Sequence, residues 1–126
     1  MIRPPGDGKI PSVDERLRRS ERITRQKEID AVYRHGRRRN GEFLRLHILE
    51  NGRDFSRLAV SVPRQVCGAV LRNRWKRLLR ESFRRNKAAF GPGLDIVAVP
   101  TRPPSGLRRQ DVEVAMIRLL RGQGRP

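Results

Sequence analysis

The chain has 126 residues, and its 30 lysines and arginines against 13 acidic residues give a formal net charge of +17. This length favours one domain. The charge exceeds what solubility requires and indicates a polyanionic partner, with nucleic acid first and a membrane surface or an acidic protein as the alternative. The single cysteine, Cys67, excludes an intrachain disulfide and a cysteine-based metal cluster. The sequence has neither the run of ~20 apolar residues that a membrane span needs nor the apolar core of a secretory signal, so we expect a cytoplasmic protein.

The two ends of the chain have the composition of tails. Residues 1–21 mix prolines and glycines with charge and predict a disordered basic tail. Residues 122–126 predict a flexible C-terminal tail, which leaves one folded domain over residues 22–121.

The folded part begins with a predicted helix over Thr24–Arg34. Its apolar side chains recur at helical spacing at Ile29, Val32 and Tyr33. Gly36 is expected to end this helix. Residues 37–41 then predict a basic turn.

Two strands are predicted next, over residues 43–49 and 57–62, with a turn at residues 51–52. The first strand alternates between a face with Leu44, Leu46 and Ile48 and a face with Phe43, Arg45, His47 and Leu49. The second places Leu58, Val60 and Val62 on the core face. Ala59 and Ser61 on its opposite face are small enough to let an extended chain approach closely.

The second half of the chain predicts a basic helix over residues 69–87, a glycine-rich break over residues 87–93, a strand over residues 94–99 and a last helix over residues 110–120. The strand over residues 94–99 is continuously apolar, so we expect it to be covered on both faces. The order helix, strand, strand, helix, strand, helix predicts an α+β fold, a single-domain sandwich with one sheet.

The basic helix is the most informative element. Between Arg72 and Lys87 it carries eight basic residues and one acid, a net charge of +7. At ~100° per residue one side is apolar, with Trp75, Leu78, Leu79 and Phe83. The adjoining side is cationic, with Lys76, Arg77, Arg80, Arg84 and Lys87. The helix can therefore pack against a core and present a row of cations to an anionic polymer.

Few residues suit catalysis by the protein itself. The acidic residues are scattered, whereas a metal-dependent nuclease needs converging carboxylates, and no glycine-rich phosphate loop occurs. We interpret Asp95 as a strand-start or sheet-edge group rather than a ligand, His35 as a cation at a helix end and Cys67 as a small hydrophobic residue. For His47, on the open strand face, RNA contact and plain exposure are equal alternatives. We therefore expect no catalytic residue in the protein.

A second candidate surface is the strand face that carries Arg45. Aromatic rings that stack on bases and cations that follow phosphates suit single-stranded RNA. If the first helix lies on this face, a groove is bordered by Ile29, Tyr33, Phe43, Arg45, His47, Ala59 and Ser61. The alternative is that Tyr33 and Phe43 simply close the core.

Three segments carry a resemblance to a known family. They are EIDAVYRHG at residues 28–36, LAVSVPR at residues 58–64 and AVLRNRWKRLLRESFR at residues 69–84. In the last two, Arg-Asn-Arg, Lys-Arg, a leucine pair, Arg and Phe follow a Ser-Val strand. The chain thereby resembles the bacterial ribonuclease P protein component over roughly residues 22–120, which makes residues 22–121 a ribonuclease P protein-like RNA-binding domain.

The resemblance implies a mainly antiparallel sheet in which the basic helix forms a left-handed βαβ crossover. It implies the protein subunit of a ribonucleoprotein endoribonuclease, in which a catalytic RNA removes the 5′ leader of precursor tRNA with Mg²⁺ bound mainly by the RNA. The residues implied to bind the catalytic RNA are Arg72, Asn73, Arg74, Lys76, Arg77, Arg80 and Arg84. Those implied to bind the precursor tRNA leader are Ile29, Tyr33, Phe43, Arg45, Ser61 and Arg64.

The expected partners are therefore the catalytic RNA and precursor tRNA, with no membrane and no small-molecule substrate, and metal contacts of the protein stay open. Two other functions compete with this one. A ribosomal protein or general RNA chaperone would bind unrelated RNAs alike and would not affect leader removal. A self-sufficient nuclease would cleave without an RNA partner, and the scattered acids disfavour it.

Overall fold

The computed structural model describes residues 18–122, so most of the predicted N-terminal tail and residues 123–126 lie outside the described residues. The described part begins with a 3₁₀ turn at Arg19–Glu21. Its helices are α1 (Gln26–His35), α2 (Ala69–Arg85), α3 (Lys87–Phe90) and α4 (Arg109–Leu120). Its strands are β1 (Arg37–Asn40), β2 (Leu44–Glu50), β3 (Arg57–Val60) and β4 (Leu94–Pro100).

The strands form one sheet in the order β1-β2-β4-β3. The β1–β2 and β2–β4 pairs are antiparallel, and the β3–β4 pair is parallel. The chain passes from β3 to its parallel neighbour β4 through α2, so the predicted βαβ crossover is confirmed. Its left-handed sense stays a prediction.

The larger core lies between the sheet and the helices α2 and α4. Alternate residues of the strands point into it, among them Leu46, Ile48 and Ile96. Trp75 of α2 and Met116 of α4 meet them and are fully buried. The predicted core face of β2 is confirmed, and β4 is buried over nearly its whole length, as predicted for a strand that is covered on both faces.

The opposite face of the sheet is covered in part by α1. A smaller core there joins Val32 of α1 to Ala59, Val97 and Val99 of the strands and to Ile23. The sheet thus lies between α2 and α4 on one side and α1 on the other. The predicted α+β sandwich is confirmed.

The prediction of a turn at residues 37–41 was wrong, because Arg37–Asn40 is an edge strand. It pairs antiparallel with β2, and Arg37 lies opposite Ile48. Three consecutive arginines show no alternation of apolar residues, so only the tertiary contact with β2 makes this segment extended. Gly36 allows the close approach, since a Cβ there would lie 2.8 Å from the carbonyl oxygen of Ile48. It ends α1, as predicted.

The prediction of a glycine-rich break over residues 87–93 was wrong for its first four residues, because Lys87–Phe90 forms the helix α3. The ring of Phe90 packs on that of Phe83 with centroids 5.0 Å apart, and this burial holds α3 against the core. Gly91 and Gly93, with φ of 71° and 86°, then direct the chain into β4.

The segment that precedes α1 is attached to the sheet through β3. Arg22 forms a parallel bridge with Leu58, and the N–H of Ile23 donates to the Leu58 carbonyl oxygen at 3.0 Å. Ile23 is buried in the same small core as Ala59. The face of Ala59, which was predicted to stay open for a bound chain, is therefore covered by the protein's own N-terminal segment.

Candidate nucleic-acid interface

The outward face of α2 borders a groove of about 640 Å³, which we call the basic groove. The residues that line it are Arg22, Asn73, Lys76, Arg77, Arg80, Glu81 and Arg84. Apart from Arg22 and Glu81, all of them were predicted to bind the catalytic RNA. The structure thus gathers most of the predicted set on one surface.

The orientation of α2 follows from its apolar side. Trp75, Leu79 and Phe83 recur every four residues and are buried almost completely in the larger core. The indole Nε1 of Trp75 also donates to the carbonyl oxygen of Arg102 at 2.9 Å, which satisfies its only polar atom. With this side fixed, the cations of α2 must face outward.

The basic groove holds an excess of positive charge that its own residues do not neutralise. Burial lowers the pKa of Arg80 from its usual value, and the nearby Arg22 lowers it further, although a guanidinium stays charged at neutral pH. Glu81 is the one acid of the lining, and its carboxylate pairs with Arg84 at 2.7 Å. The hydrogen bond from Arg84 is the main cause that holds the pKa of Glu81 below its usual value.

Two predicted RNA-binding residues lie outside this lining. The Nε of Arg72 donates to the carbonyl oxygen of Val62 at 3.2 Å, and Nη2 of Arg74 donates to that of Leu107 at 3.3 Å. Each therefore also fixes a neighbouring loop. Substituting either one would change local structure together with charge.

Arg22 belongs to the basic groove but was not predicted as a site residue. It reaches the groove because its backbone pairs with β3 and because the preceding Glu21 forms an ion pair with Lys87 at 2.9 Å. These contacts join residues far apart in the sequence. The basic composition around Arg22 was a signal in the sequence, but it did not single out this residue.

The second surface is the part of the α1 side of the sheet that α1 leaves uncovered, and we call it the sheet face. Asn40 lies opposite Arg45, and Arg45 lies opposite Val99. The N–H of Ser61 donates to the carbonyl oxygen of Ala98 at 2.9 Å, which extends this row across β3. The predicted leader residues Arg45 and Ser61 thus lie in one line across the sheet.

His47 and Tyr33 connect this row to α1. The Tyr33 ring meets the His47 ring edge-on with centroids 4.6 Å apart, and 39% of Tyr33 is exposed. The Nε of Arg45 donates to Nε2 of His47 at 3.1 Å. Burial, followed by the charges of Arg45 and Arg38, lowers the pKa of His47, so the neutral ring accepts this bond. His47 was predicted on an open face, whereas the structure buries it.

Phe43 does not lie on the sheet face, so this part of the prediction was wrong. Its ring stacks on Trp75 with centroids 6.1 Å apart, in the larger core, and only 9% of it is exposed. The alternation of β2 does not extend to residue 43, because β2 begins at Leu44. The guanidinium of Arg102 lies 5.6 Å from the ring centroid and covers it. For Phe43 the alternative of closing the core is confirmed.

The remaining predicted leader residues differ in exposure. Ile29 is half-buried and packs against the smaller core. Arg64 is exposed in the turn that follows β3. Tyr33 differs from Phe43, since its ring stays accessible to solvent.

A buried ion network ties α1 to the sheet. Arg57 of β3 donates to both carboxylate oxygens of Asp95, at 2.9 and 2.7 Å, and to Glu28 of α1 at 3.3 Å. The hydrogen bond to Asp95 is the main cause that raises the pKa of Arg57. Burial opposes the charge on Asp95, but hydrogen bonds from Arg57 and Asn51 outweigh it and hold the pKa of Asp95 below its usual value. Asp95 is thus a structural strand-start group.

The described range, residues 18–122, offers neither a cluster of metal ligands nor a membrane-spanning helix. In that range no three His, Cys, Asp or Glu residues come together in a way that could hold a metal ion. No helix in the same range is long and apolar enough to cross a membrane. Cys67 is half-buried against the larger core, in keeping with its interpretation as a small hydrophobic residue.

The chain is similar to known proteins in both sequence and structure. The family model for ribonuclease P matches residues 17–123. The ribonuclease P protein component of Syntrophus aciditrophicus is 38% identical over 96 residues, which are 76% of this chain and 81% of the relative. That of Clostridium botulinum strain Langeland is 36% identical over 107 residues, or 84% of this chain and 96% of the relative.

Solved structures show the same fold. The ribonuclease P protein from Thermotoga maritima superimposes with a TM-score of 0.73 at 31% identity, covering 81% of this chain and 96% of the other. The one from Staphylococcus aureus gives a TM-score of 0.70 at 23% identity over 85% and 92% of the two chains, and supports the fold alone. On the family match and these relatives, the chain belongs to the family of ribonuclease P protein components, the protein subunits of a tRNA-processing ribonucleoprotein endoribonuclease.

Proposed function

We propose that the basic groove binds the catalytic RNA of ribonuclease P, while the sheet face binds the single-stranded 5′ leader of precursor tRNA. The observation that carries this proposal is the separation of the two surfaces by the body of the protein. The groove lies on the outward face of α2, and the sheet face lies on the α1 side of the sheet. A protein with two such surfaces can hold two RNA segments at once.

The chemistry of the basic groove suits a folded RNA. Arg77, Arg80 and Lys76 offer several donors along one helix face, and arginine forks fit phosphate oxygens in a bidentate manner. Asn73 adds a neutral donor and acceptor within the same row. A surface of this kind binds backbone phosphates and is strongly dependent on salt.

The chemistry of the sheet face suits a single strand. Tyr33 offers an exposed aromatic ring for a base, and Arg45, held by His47, offers a cation for the adjoining phosphate. Ser61 continues the row at β3, and Arg64 follows in the next turn. Phe43 is not part of this surface, because Trp75 and Arg102 cover its ring.

We assign Mg²⁺ to the RNA. The residues that the structure describes offer no converging carboxylates for such an ion, whereas crowded RNA phosphates are natural ligands for it. The protein would assist by neutralising phosphates of the two RNAs with its cations, which lowers their repulsion and strengthens the binding of Mg²⁺. This proposal places the protein in the cytoplasm, where it meets the catalytic RNA and precursor tRNA.

Reconstitution at low Mg²⁺ tests the proposed function. The purified chain is added to the matching catalytic RNA, and removal of the leader from a precursor tRNA is followed over time. We expect the chain to raise the cleavage rate at low Mg²⁺ and to matter less at high Mg²⁺. A control reaction contains the chain without the catalytic RNA.

The possible outcomes separate the three functions. Stimulation that requires the catalytic RNA supports the proposal. Absence of any stimulation, with equal binding of unrelated RNAs, would favour a general RNA-binding protein. Cleavage in the control reaction would favour a self-sufficient nuclease.

A further inference from the structure

The edge strand β1 carries polar side chains onto the same face of the sheet as Arg45. Arg38 lies opposite His47, and Asn40 lies opposite Arg45. Residues directly opposite in neighbouring strands point to the same face. Arg38 and Asn40 therefore extend the sheet face to its β1 edge, and neither had been predicted as a site residue.

These cations have no acidic partner. Over residues 18–122, no carboxylate forms an ion pair with Arg38 or Arg45, whereas acids of the same protein pair with Arg57, Arg84 and Arg109. The Nε of Arg38 donates to Oδ1 of Asn40 at 3.3 Å, which holds both side chains along the strand. Two nearby guanidinium groups without a counter-charge form a site for an anion.

The dimensions of the sheet limit how much RNA it can hold. The row from Ser61 to Asn40 crosses four strands, and three strand spacings of ~4.8 Å give a length of ~14 Å. A four-stranded sheet of this size holds about two or three stacked bases. No strand lies beyond β1 in the described sheet, so a longer RNA strand can leave over this edge.

We propose that Arg38 and Asn40 form an additional binding segment for the leader, which holds the nucleotides beyond those on the sheet face. The inference rests on the proposed function of the sheet face and specifies its substrate: a precursor whose single-stranded leader is long enough to reach the β1 edge. Arg38 binds the phosphate of such a nucleotide, and Asn40 orients the guanidinium. Affinity for the substrate therefore rises with leader length until this edge is occupied.

A series of leader lengths tests this inference. Precursor tRNAs with leaders from about two to about ten nucleotides, bracketing the two or three bases that the sheet can hold, are bound to the reconstituted holoenzyme. Arg38→Ala should weaken the binding of long-leader substrates by about 2–5-fold, as for one exposed charged contact, and leave the shortest unchanged. With long leaders it should also lower the slope of log affinity against log salt by about 0.7.

Matched variants show whether the effect belongs to this site. Arg38→Lys keeps the charge and should restore most of the affinity for long leaders, and Arg38→Gln should not. Arg118→Ala removes an exposed arginine on α4 with the same change in net charge and should have no effect that depends on leader length. Circular dichroism and urea unfolding check that each variant keeps the fold.

Different results would overturn the further inference and the proposed function of the sheet face. An equal loss for all leader lengths, or no loss for any, overturns the role of Arg38 and Asn40. If Tyr33→Ala and Arg45→Ala also fail to weaken any substrate, the proposed function of the sheet face falls as well. A loss with Tyr33→Ala for every leader, without a length-dependent effect of Arg38→Ala, overturns only the further inference.

Discussion

The two sides of the sheet are stabilised in different ways. On the α2 side, large apolar residues such as Trp75, Phe83 and Met116 fill a dry core, and the helices cover the strands. On the α1 side a small valine-rich core is supplemented by the ion network of Arg57, Asp95 and Glu28. A large core lets α2 turn all its cations outward. The smaller core, supplemented by the ion pairs of Arg57, lets α1 leave part of the sheet uncovered.

Arginine has two opposite roles in this protein. Arg57 is buried and neutralised by two carboxylates, so it contributes to the fold. Arg77 in the basic groove has no such partner within the described residues, so its charge is available to a ligand. A leucine follows each of them in the sequence, so this neighbour does not distinguish the two. The nearby acids, brought in by tertiary structure, decide the role.

Truncating Trp75, which packs α2 against the larger core, should have the largest effect on stability. Trp75→Ala should lower the free energy of unfolding by ~3–5 kcal/mol, because it leaves a cavity at the centre of the larger core. Val32→Ala in the smaller core should cost only about 1–2 kcal/mol, since it removes about two methyl groups. Urea unfolding followed by circular dichroism measures both. An equal or larger effect of Val32→Ala would contradict the difference between the two cores.

Breaking the ion network should be nearly as costly. Arg57→Ala should lower the free energy of unfolding by about 3 kcal/mol, because it leaves Asp95 buried without its partner. Replacing both partners, as in the double variant Arg57→Met with Asp95→Leu, should recover much of this loss. If the single variant unfolds at the wild-type urea concentration, the network does not hold α1 to the sheet.

Tyr33→Ala should weaken binding of the leader while sparing the catalytic RNA. The expected loss is ~1–3 kcal/mol, the contribution of one base stacked on an aromatic ring. Tyr33→Phe keeps the ring and should bind nearly as well as the wild type. Fluorescence titration of the holoenzyme with a labelled precursor tRNA measures the effect. A change in stability alone, with binding intact, would mean that Tyr33 acts only as a cover for His47.

Arg77→Ala should have the opposite selectivity to Tyr33→Ala, because it should affect the catalytic RNA and spare the leader. It should weaken assembly with the catalytic RNA and reduce the slope of log affinity against log salt by about 0.7–0.9, as expected for one lost phosphate contact. Arg85→Ala is the matched control, because Arg85 is exposed on the same helix but does not line the basic groove. Equal slopes for the two variants would show that only net charge matters.

In the wild type, the pH dependence of stability that comes from Asp95 should be the smallest of these effects and should appear only in acid. The folded state lowers the pKa of Asp95 below its ordinary value of 3.8, so its contribution to stability is fully present above that value. It is lost as the pH falls through the lower folded pKa. Asp95→Asn should already be less stable at neutral pH and should lack this part of the acid dependence. Unfolding midpoints measured from pH 2 to pH 7 distinguish the two profiles.

The sequence by itself was sufficient for the elements whose periodicity is strong. The alternation of Leu44, Leu46 and Ile48 predicted the core face of β2, and the stripe of Trp75, Leu79 and Phe83 predicted the buried side of α2. The cations on the adjoining side of α2 followed from the same period. These predictions succeed because burial of apolar area is the largest local signal that a sequence contains.

Only the tertiary structure decided the features that depend on distant partners. The edge strand β1 forms because β2 pairs with it, and Arg22 enters the basic groove because its backbone joins β3. Phe43 turns toward Trp75, a contact between residues far apart in the chain. Hydrogen bonds and ion pairs across the fold have no period in the sequence, so their partners become known only once the strands are in register.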